Sequence, residues 1–239
     1  MSHLLESADY HGKEHGYSHI ACDPVASFII DNDVVTQTFP DGTVETFTLA
    51  RRKDAVQALL NFAERFEWTR QPDYAPMANG MFGHISYDAV EYFEDIEIQE
   101  KNENTEIPQI IYYVYRYVIA INHFKNEGYI FCHSIDGKNN IGEIEQLLQV
   151  KNFASFSFSK VGQTISNLTD DTFKEYVALA KKHCHRGDVF QLVLSRRFSQ
   201  SFKGDEFNVY RALRNINPSP YLFYFDYGDF KLFGSSPEA

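Results

Sequence analysis

The sequence reads as an α/β (α+β) protein, and two observations carry that reading. Long apolar runs rich in Phe and Tyr recur along the chain, and segments with 3- and 4-residue apolar spacing interrupt them. The 239 residues are 44% hydrophobic, with 21 Phe and 15 Tyr against one Trp. That is enough apolar mass for a sizeable core and for aromatic packing on sheets.

In chain order, residues 4–47 read as short strands and turns. Tyr17–Cys22 and Val25–Ile30 are apolar runs separated by the turn pair Asp23-Pro24. Asn32-Asp33 and Pro40-Asp41-Gly42 punctuate strands Val34–Phe39 and Val44–Leu49, a hairpin pattern. Asp54 opens a helix whose apolar stripe is Val56, Leu59, Leu60, Ala63 and Phe66. Pro72, Pro76 and Asn79 mark a loop. Gly80–Tyr87 is a glycine-bearing strand, and Asp88 is placed as the cap of a short helix over Ala89–Phe93. Residues 94–107 form an acidic, exposed loop.

Ile110–Asn122, apolar or aromatic almost throughout, predicts a central strand buried on both faces, with Gly128–Ser134 as its hairpin partner. Gly142–Val150 is a helix. Residues 151–168 alternate Phe with Ser or Ala and then turn polar, which sets a boundary between parts 1–165 and 166–239. Thr169 caps the clearest helix of the chain. Asp170 and Asp171 sit at its positive end, Phe173, Tyr176, Val177, Ala180 and Cys184 form its stripe, and Gly187 ends it. Gln191–Phe198 comes next as a strand, then Asp205–Asn215 as a helix, and Tyr221–Tyr227 with Phe230–Phe233 as a hairpin about Gly228.

Bulk properties exclude several classes. A net charge of −11 disfavours nonspecific nucleic-acid binding, which needs clustered cations. No apolar run is long enough to span a membrane, and the N-terminus lacks a signal-peptide pattern, so neither membrane nor export is expected. Cys22, Cys132 and Cys184 are few and widely spaced, which fits reduced thiols in a cytoplasm. His3, His11 and His15 show no metal spacing. His183 and His185 diverge by about 100° per residue on a helix, so they do not share a metal with ease. No metal ligand set is assigned.

Three ordered motifs fill the last part of the chain: Gly187–Phe198, Asn217–Phe223 and Gly234–Glu238. With Leu4-Leu5-Glu6-Ser7-Ala8-Asp9, Gly80-Met81-Phe82-Gly83 and Tyr87-Asp88, the chain resembles component I of anthranilate synthase, among the chorismate-utilising enzymes, over nearly its whole length. The resemblance implies two β-sheets packed face to face and flanked by helices. It implies a regulatory part over 1–165 and the start of a chorismate-binding catalytic part over 166–239. It also implies the reaction: chorismate and ammonia give anthranilate and pyruvate with Mg²⁺ assistance, and the ammonia comes from a glutamine amidotransferase subunit. Aminodeoxychorismate synthase component I is a sibling that shares many of these features, and a non-catalytic amino-acid-binding module is a third reading.

The same resemblance implies that Leu5, Glu6 and Ser7 face Asn217, Pro218, Ser219, Pro220, Tyr221 and Leu222 and hold L-tryptophan, the feedback inhibitor. The residue types suit that role. Glu6 accepts from an ammonium, Ser7 offers a hydroxyl, and two prolines fix a loop beside the Tyr221 ring. Where some relatives carry a basic residue, this chain has Tyr17 or a neighbour.

Gln191 and Glu238 are the catalytic candidates. Relatives that add water use a Lys as base at the position of Gln191, whereas ammonia needs no such base, so a neutral Gln fits ammonia addition. Alternatively Gln191 only hydrogen-bonds across a sheet. Glu238 lies in the turn that the family sets beside chorismate, and an exposed turn is its other reading. Arg196 and Arg197 are either a carboxylate clamp or an ion-paired surface couple. Ser236-Pro237-Glu238 leads toward further protein, so the chain is expected to be a fragment, inactive alone, with Mg²⁺ ligands beyond residue 239. The Gly80–Gly83 pair lacks the following Lys-Ser/Thr of a phosphate loop and reads as close strand packing.

Overall fold

A computed structural model describes residues 1–7, 16–67, 78–98, 107–135, 137, 140–151 and 156–238. Its contacts divide the chain into two units, Met1–Lys151 with Ala212–Ala239, and Asn152–Arg211. The fold is mixed α+β with antiparallel sheets, as the sequence predicts.

The larger unit is organised by two long strands, β2 (Tyr17–Asp31) and β6 (Ile110–Asn122), paired antiparallel along their lengths. β1 (Ser2–Glu6) and β3 (Val34–Thr38) share the other edge of β2, one after the other. β5 (Met81–Ile85) and β7 (Glu127–Cys132) share the other edge of β6 in the same way. The sheet continues from β3 to β4 (Val44–Thr48), and from β1 through β10 (Tyr221–Asp226) to β11 (Lys231–Ser236). β6 is buried over most of its length, as its apolar run requires.

Asp23-Pro24 does not turn the chain as expected. Asp23 takes a positive φ of 62°, the register shifts between Pro24 and Ala26, and one strand continues through the irregularity. Proline cannot donate to the ladder, so a bulge accommodates it. Asp23 accepts instead from Arg116 Nε at 2.9 Å.

α1 (Asp54–Glu64) forms where expected but turns a different face inward. Ala55, Ala58 and Phe62 are buried, while Val56 and Leu60 are exposed. Phe62 fits between Phe28 and Phe39, with ring centroids 5.6 Å from each. Small alanines on either side let the helix approach the sheet closely. Asp88 does not cap a helix: a 3₁₀ helix spans Tyr87–Tyr92 after Ser86, with no side-chain cap. The loop expected at 94–107 falls largely on residues outside those described. α2 (Ile141–Gln149) buries Ile144 against Tyr117 and Ile119 of β6.

In the smaller unit, β8 (Ser159–Ser166) pairs with β9 (Phe198–Lys203), and α3 (Asp170–Arg186) lies between them in sequence. β8 was not expected, since its Lys, Gly, Gln, Thr and Ser content masks a strand. The β8–β9 pairing joins residues 159–166 to residues 198–203. Thr169 caps α3 by accepting from Thr172 N, and Gly187 ends it in the left-handed region at φ 79°. The expected stripe on α3 is not buried: no residue of this helix is, and Tyr176, Val177 and Cys184 are exposed. The strand expected over Gln191–Phe198 is irregular until Phe198, and Gln191 is exposed. No strand partner for 191–197 exists among the described residues, so its backbone gains no ladder. α4 (Phe207–Ile216) runs across the division between the units.

Gly83 is required by close packing. It lies opposite Tyr112, and a Cβ there would collide with the Ile111 carbonyl. Gly83→Ala is expected to destabilise the protein by about 3 kcal/mol or more, because backbone rather than a flexible side chain must move. Urea unfolding of the variant checks this, and an unchanged midpoint would refute the packing argument.

Candidate functional site

The end of β1 meets the turn before β10. In the antiparallel register Leu5 lies opposite Phe223 and Glu6 opposite Leu222. Segments from opposite ends of the chain are thus neighbours. Strand alternation sends Leu4 and Glu6 to one face and His3 and Leu5 to the other. Leu5 packs with Phe223 and Phe225 in the apolar core, and Leu222 is fully buried beside Glu6.

Glu6 is largely covered, its side chain 14% exposed, and Arg214 on the last turn of α4 faces it with Nε 3.2 Å from Oε2. Ser7 comes next, half-buried, at the end of β1. The turn Asn217–Pro220 is pinned from within. Ser235 Oγ of β11 donates to Asn217 O at 2.5 Å and also bonds Ser219 Oγ at 2.9 Å. Asn217 N donates to Leu213 O at 2.8 Å, which closes α4 onto the turn. Ser219 is buried, Pro218 and Tyr221 are exposed, and Pro220 is half-buried. The arrangement is an anionic group beside a rigid, proline-fixed turn with an accessible phenol ring. Tyr17 opens β2, two residues before His19, which pairs with Leu5.

Sequence reasoning missed Arg214 and the tying role of Ser235. A cation on the last helical turn, three residues before Asn217, was the available signal for Arg214. Ser235 was visible only as part of the Gly234–Glu238 motif.

Gln191 belongs to the smaller unit and Glu238 to the larger, and both are exposed. Arg196 takes the ion-paired role. It donates to Asp170 Oδ1 at 2.7 Å, Ser166 Oγ at 2.7 Å and Leu168 O at 2.8 Å, and its guanidinium lies over the Phe198 ring. Its hydrogen bond and charge lower the pKa of Asp170. Among the described residues no group of three or more His, Cys, Asp or Glu is placed to hold a metal ion, so these residues do not fit a Mg²⁺ site. His183 bonds Asp188 Oδ2 at 2.8 Å instead, and His11 and His15 lie outside the described residues. No helix among them is long and apolar enough to cross a membrane.

Behind β1 lies a histidine in an aromatic cage. His3 is 1% exposed, stacks on Phe225 at 4.2 Å and meets Tyr115 and Tyr227 edge-on at 5.3 and 4.8 Å. Burial first, then the neighbouring His84 and the N-terminus, push its pKa down to about 3. Burial lowers His84 as well, which bonds the Tyr227 hydroxyl at 2.8 Å.

Residues 6–239 match the family described as chorismate binding enzyme. Anthranilate synthase component 1 of Aquifex aeolicus (strain VF5) is 30% identical over 98% of this chain and 49% of its own length. Aminodeoxychorismate synthase component 1 of Bacillus subtilis (strain 168) is 27% identical over 98% of this chain and 50% of its own. Among solved structures, anthranilate synthase component I from Streptococcus pneumoniae TIGR4 superposes with a TM-score of 0.67 at 25% identity, covering 93% of this chain and 50% of that one. The chain therefore spans about half the length of the relatives it matches.

The His3 shift predicts an acid sensitivity. In the unfolded chain the imidazole protonates near its ordinary value of 6.5, whereas in the folded protein it stays neutral to about 3. Its contribution is therefore complete above pH 6.5 and is lost progressively as pH falls from 6.5 toward 3, by roughly 1.4 kcal/mol per unit at most. Urea midpoints measured from pH 7 to 4.5 should fall for the wild type and fall less for His3→Phe. Parallel curves would show that His3 does not titrate in this window.

Proposed function

The chain belongs to the chorismate binding enzyme family, and on that footing we propose that it is part of component I of an anthranilate synthase under feedback control by L-tryptophan. The reaction joins chorismate and ammonia to give anthranilate and pyruvate in tryptophan biosynthesis, in the cytoplasm, with ammonia supplied by a glutamine amidotransferase subunit. The observation that carries the regulatory half of this reading is the register of Glu6 against Leu222. It sets a mostly buried carboxylate beside the Asn217–Pro220 turn. A carboxylate at such a turn accepts charge-assisted hydrogen bonds from an amino-acid ammonium, and Arg214 already stands beside it. Leu222, opposite Glu6, supplies an apolar floor, Leu5 anchors the strand in the core behind it, Ser7 offers a hydroxyl, and Tyr221 a ring for an indole.

The division of labour in this proposal is regulatory over 1–165 and catalytic from 166 onward. Gln191 stands in it as the neutral group beside which ammonia adds. Glu238 stands as a carboxylate near the substrate. Mg²⁺ belongs to the whole enzyme. The similarity to a Bacillus aminodeoxychorismate synthase supports a second reading, in which chorismate is aminated without formation of anthranilate.

Calorimetry with L-tryptophan tests the regulatory reading. Wild type should bind, Glu6→Ala should lose about 10- to 150-fold in affinity, equivalent to about 1.5–3 kcal/mol for a charge-assisted hydrogen bond, and Ser7→Ala should lose about 1 kcal/mol. Equal binding by all three would move the site elsewhere.

A turnover assay addresses the catalytic half. The 239-residue chain with chorismate, Mg²⁺ and excess ammonium should give no anthranilate fluorescence above an enzyme-free blank. Measurable anthranilate formation would overturn the expectation that this chain is inactive alone.

A further inference from the structure

β4 ends the sheet order, so one of its edges pairs with β3 and the other is open among the described residues. The strand holds no proline, no lysine and no bulge, the common blocks to a further strand. Its one charge, Glu45, is already matched by Arg65 at 3.1 Å. The β3–β4 ladder decides which backbone groups the open edge offers. Phe39 N donates to Thr43 O and Leu49 N donates to Asp33 O, each at 2.9 Å. Thr43 and Leu49 are therefore bonded toward β3, and by the antiparallel alternation so are Glu45 and Phe47. The N–H and C=O groups of Val44, Thr46 and Thr48 point the other way, out of the sheet edge. All three residues are exposed.

Thr46 is the middle residue of β4. A second β4 laid antiparallel along the open edge, about a two-fold axis through Thr46, sets Thr46 opposite its own copy and Val44 opposite Thr48 of that copy. These are the outward-facing residues, so every free group of the strand meets a partner. Thr46 exchanges a pair of N–H···O=C bonds with its copy, and each Val44–Thr48 couple exchanges another pair. All of these residues are β-branched, a type that packs well across strands. The charges at the two ends of the strand are complementary in the same register. Asp41 precedes Thr46 by as many residues as Arg51 follows it, and both are exposed. The Asp41 end of each copy therefore meets the Arg51 end of the other. Arg51 holds Asp54 through Nη2 at 2.7 Å, and its remaining guanidinium donors suit a second carboxylate. We propose that the β4 edge is a docking surface for a second copy of this chain, joined strand to strand about Thr46 into one continuous sheet.

Other two-fold registers do worse. An axis through Glu45 sets two carboxylates opposite each other, and an axis through Phe47 pairs Val44 with Ala50, beyond the end of the strand. All the residues involved belong to the larger unit, and none of them is part of the amino-acid reading. A ladder this short makes a small interface, so the association is expected on the order of tens of micromolar rather than nanomolar.

Sedimentation velocity of the full 239-residue chain across the micromolar range tests this. The wild type should pass from monomer to dimer as concentration rises. Thr46→Pro removes an N–H that points away from β3, so it spares the chain's own ladder, and it should weaken dimerisation on the order of 10-fold or more. Asp41→Arg and Arg51→Asp should each weaken it, because each sets like charges together at both ends of the ladder. An equimolar mixture of these two variants should associate about as well as the wild type, because in the mixed dimer the two introduced charges face each other and the two native ones do too. If Thr46→Pro loses the wild-type far-UV spectrum or melting temperature, the charge exchange decides alone. A wild type that stays monomeric overturns the proposal. So does a dimer that a folded Thr46→Pro leaves intact, which would run through another surface such as the exposed Phe190 and Val193. A mixture that associates no better than the two variants separately overturns it as well.

Discussion

The pairing of β2 with β6 is the constraint on which the larger unit depends. Both strands are long, and they are hydrogen-bonded to each other from Tyr17–Asn122 to Ile30–Ile110. A strand has two edges, so each offers one remaining edge, long enough for two short strands in succession. β1 and β3 take that of β2, and β5 and β7 take that of β6. The bulge at Pro24 falls between the His19–Cys22 stretch that pairs with β1 and the Ser27–Asp31 stretch that pairs with β3. An irregularity forced by proline therefore sits where the edge changes partner, and costs the ladder least there. The position of β1 in turn decides where Glu6 lies, because β1 pairs with β2 on one edge and β10 on the other.

The two faces of β1 divide the labour between stability and recognition. On one face His3 and Leu5 enter a core of Phe223, Phe225, Tyr113 and Tyr227. A neutral imidazole is tolerated there because burial suppresses its charge, and its ring contributes aromatic contacts like those of its neighbours. On the other face Glu6 lies near Arg214 beside the turn. A one-residue slip of β1 against β10 would exchange these faces, putting a carboxylate in the aromatic cage. The register is thus fixed by what each face can bear, and the rigid turn held by Ser235 depends on it.

The smaller unit obeys a different logic. Its helix α3 is well capped at both ends and its Arg196 cluster joins the segment before β9 to the start of α3. Local hydrogen bonds and charge therefore order this unit, while Tyr210 is its one buried large apolar side chain among the described residues and Phe190, Val193 and Phe198 stand exposed. Local interactions of this kind are visible to sequence reasoning; burial of an apolar stripe is not, because it needs a partner surface.

That difference explains which features the residues specified and which only the assembled fold did. Ile110–Asn122, the hairpins at Gly42 and Gly228, the Thr169 cap and the Gly187 stop were legible, since each depends on side chains within a few positions of one another. The juxtaposition of Leu5–Ser7 with Asn217–Leu222 came from motif resemblance, and its physical basis, the β1–β10 register, is a long-range pairing that periodicity cannot supply. The inward face of α1 was misread because Val56 and Leu60 are more apolar than Ala55 and Ala58. Close approach to Phe28 and Phe39 rewards small residues flanking one large ring, Phe62, and that reward exists only once the sheet is in place. Arg214 was overlooked for the same reason: on a sequence it is one cation on a helix, and it becomes the neighbour of Glu6 only where the last turn of α4 meets the end of β1.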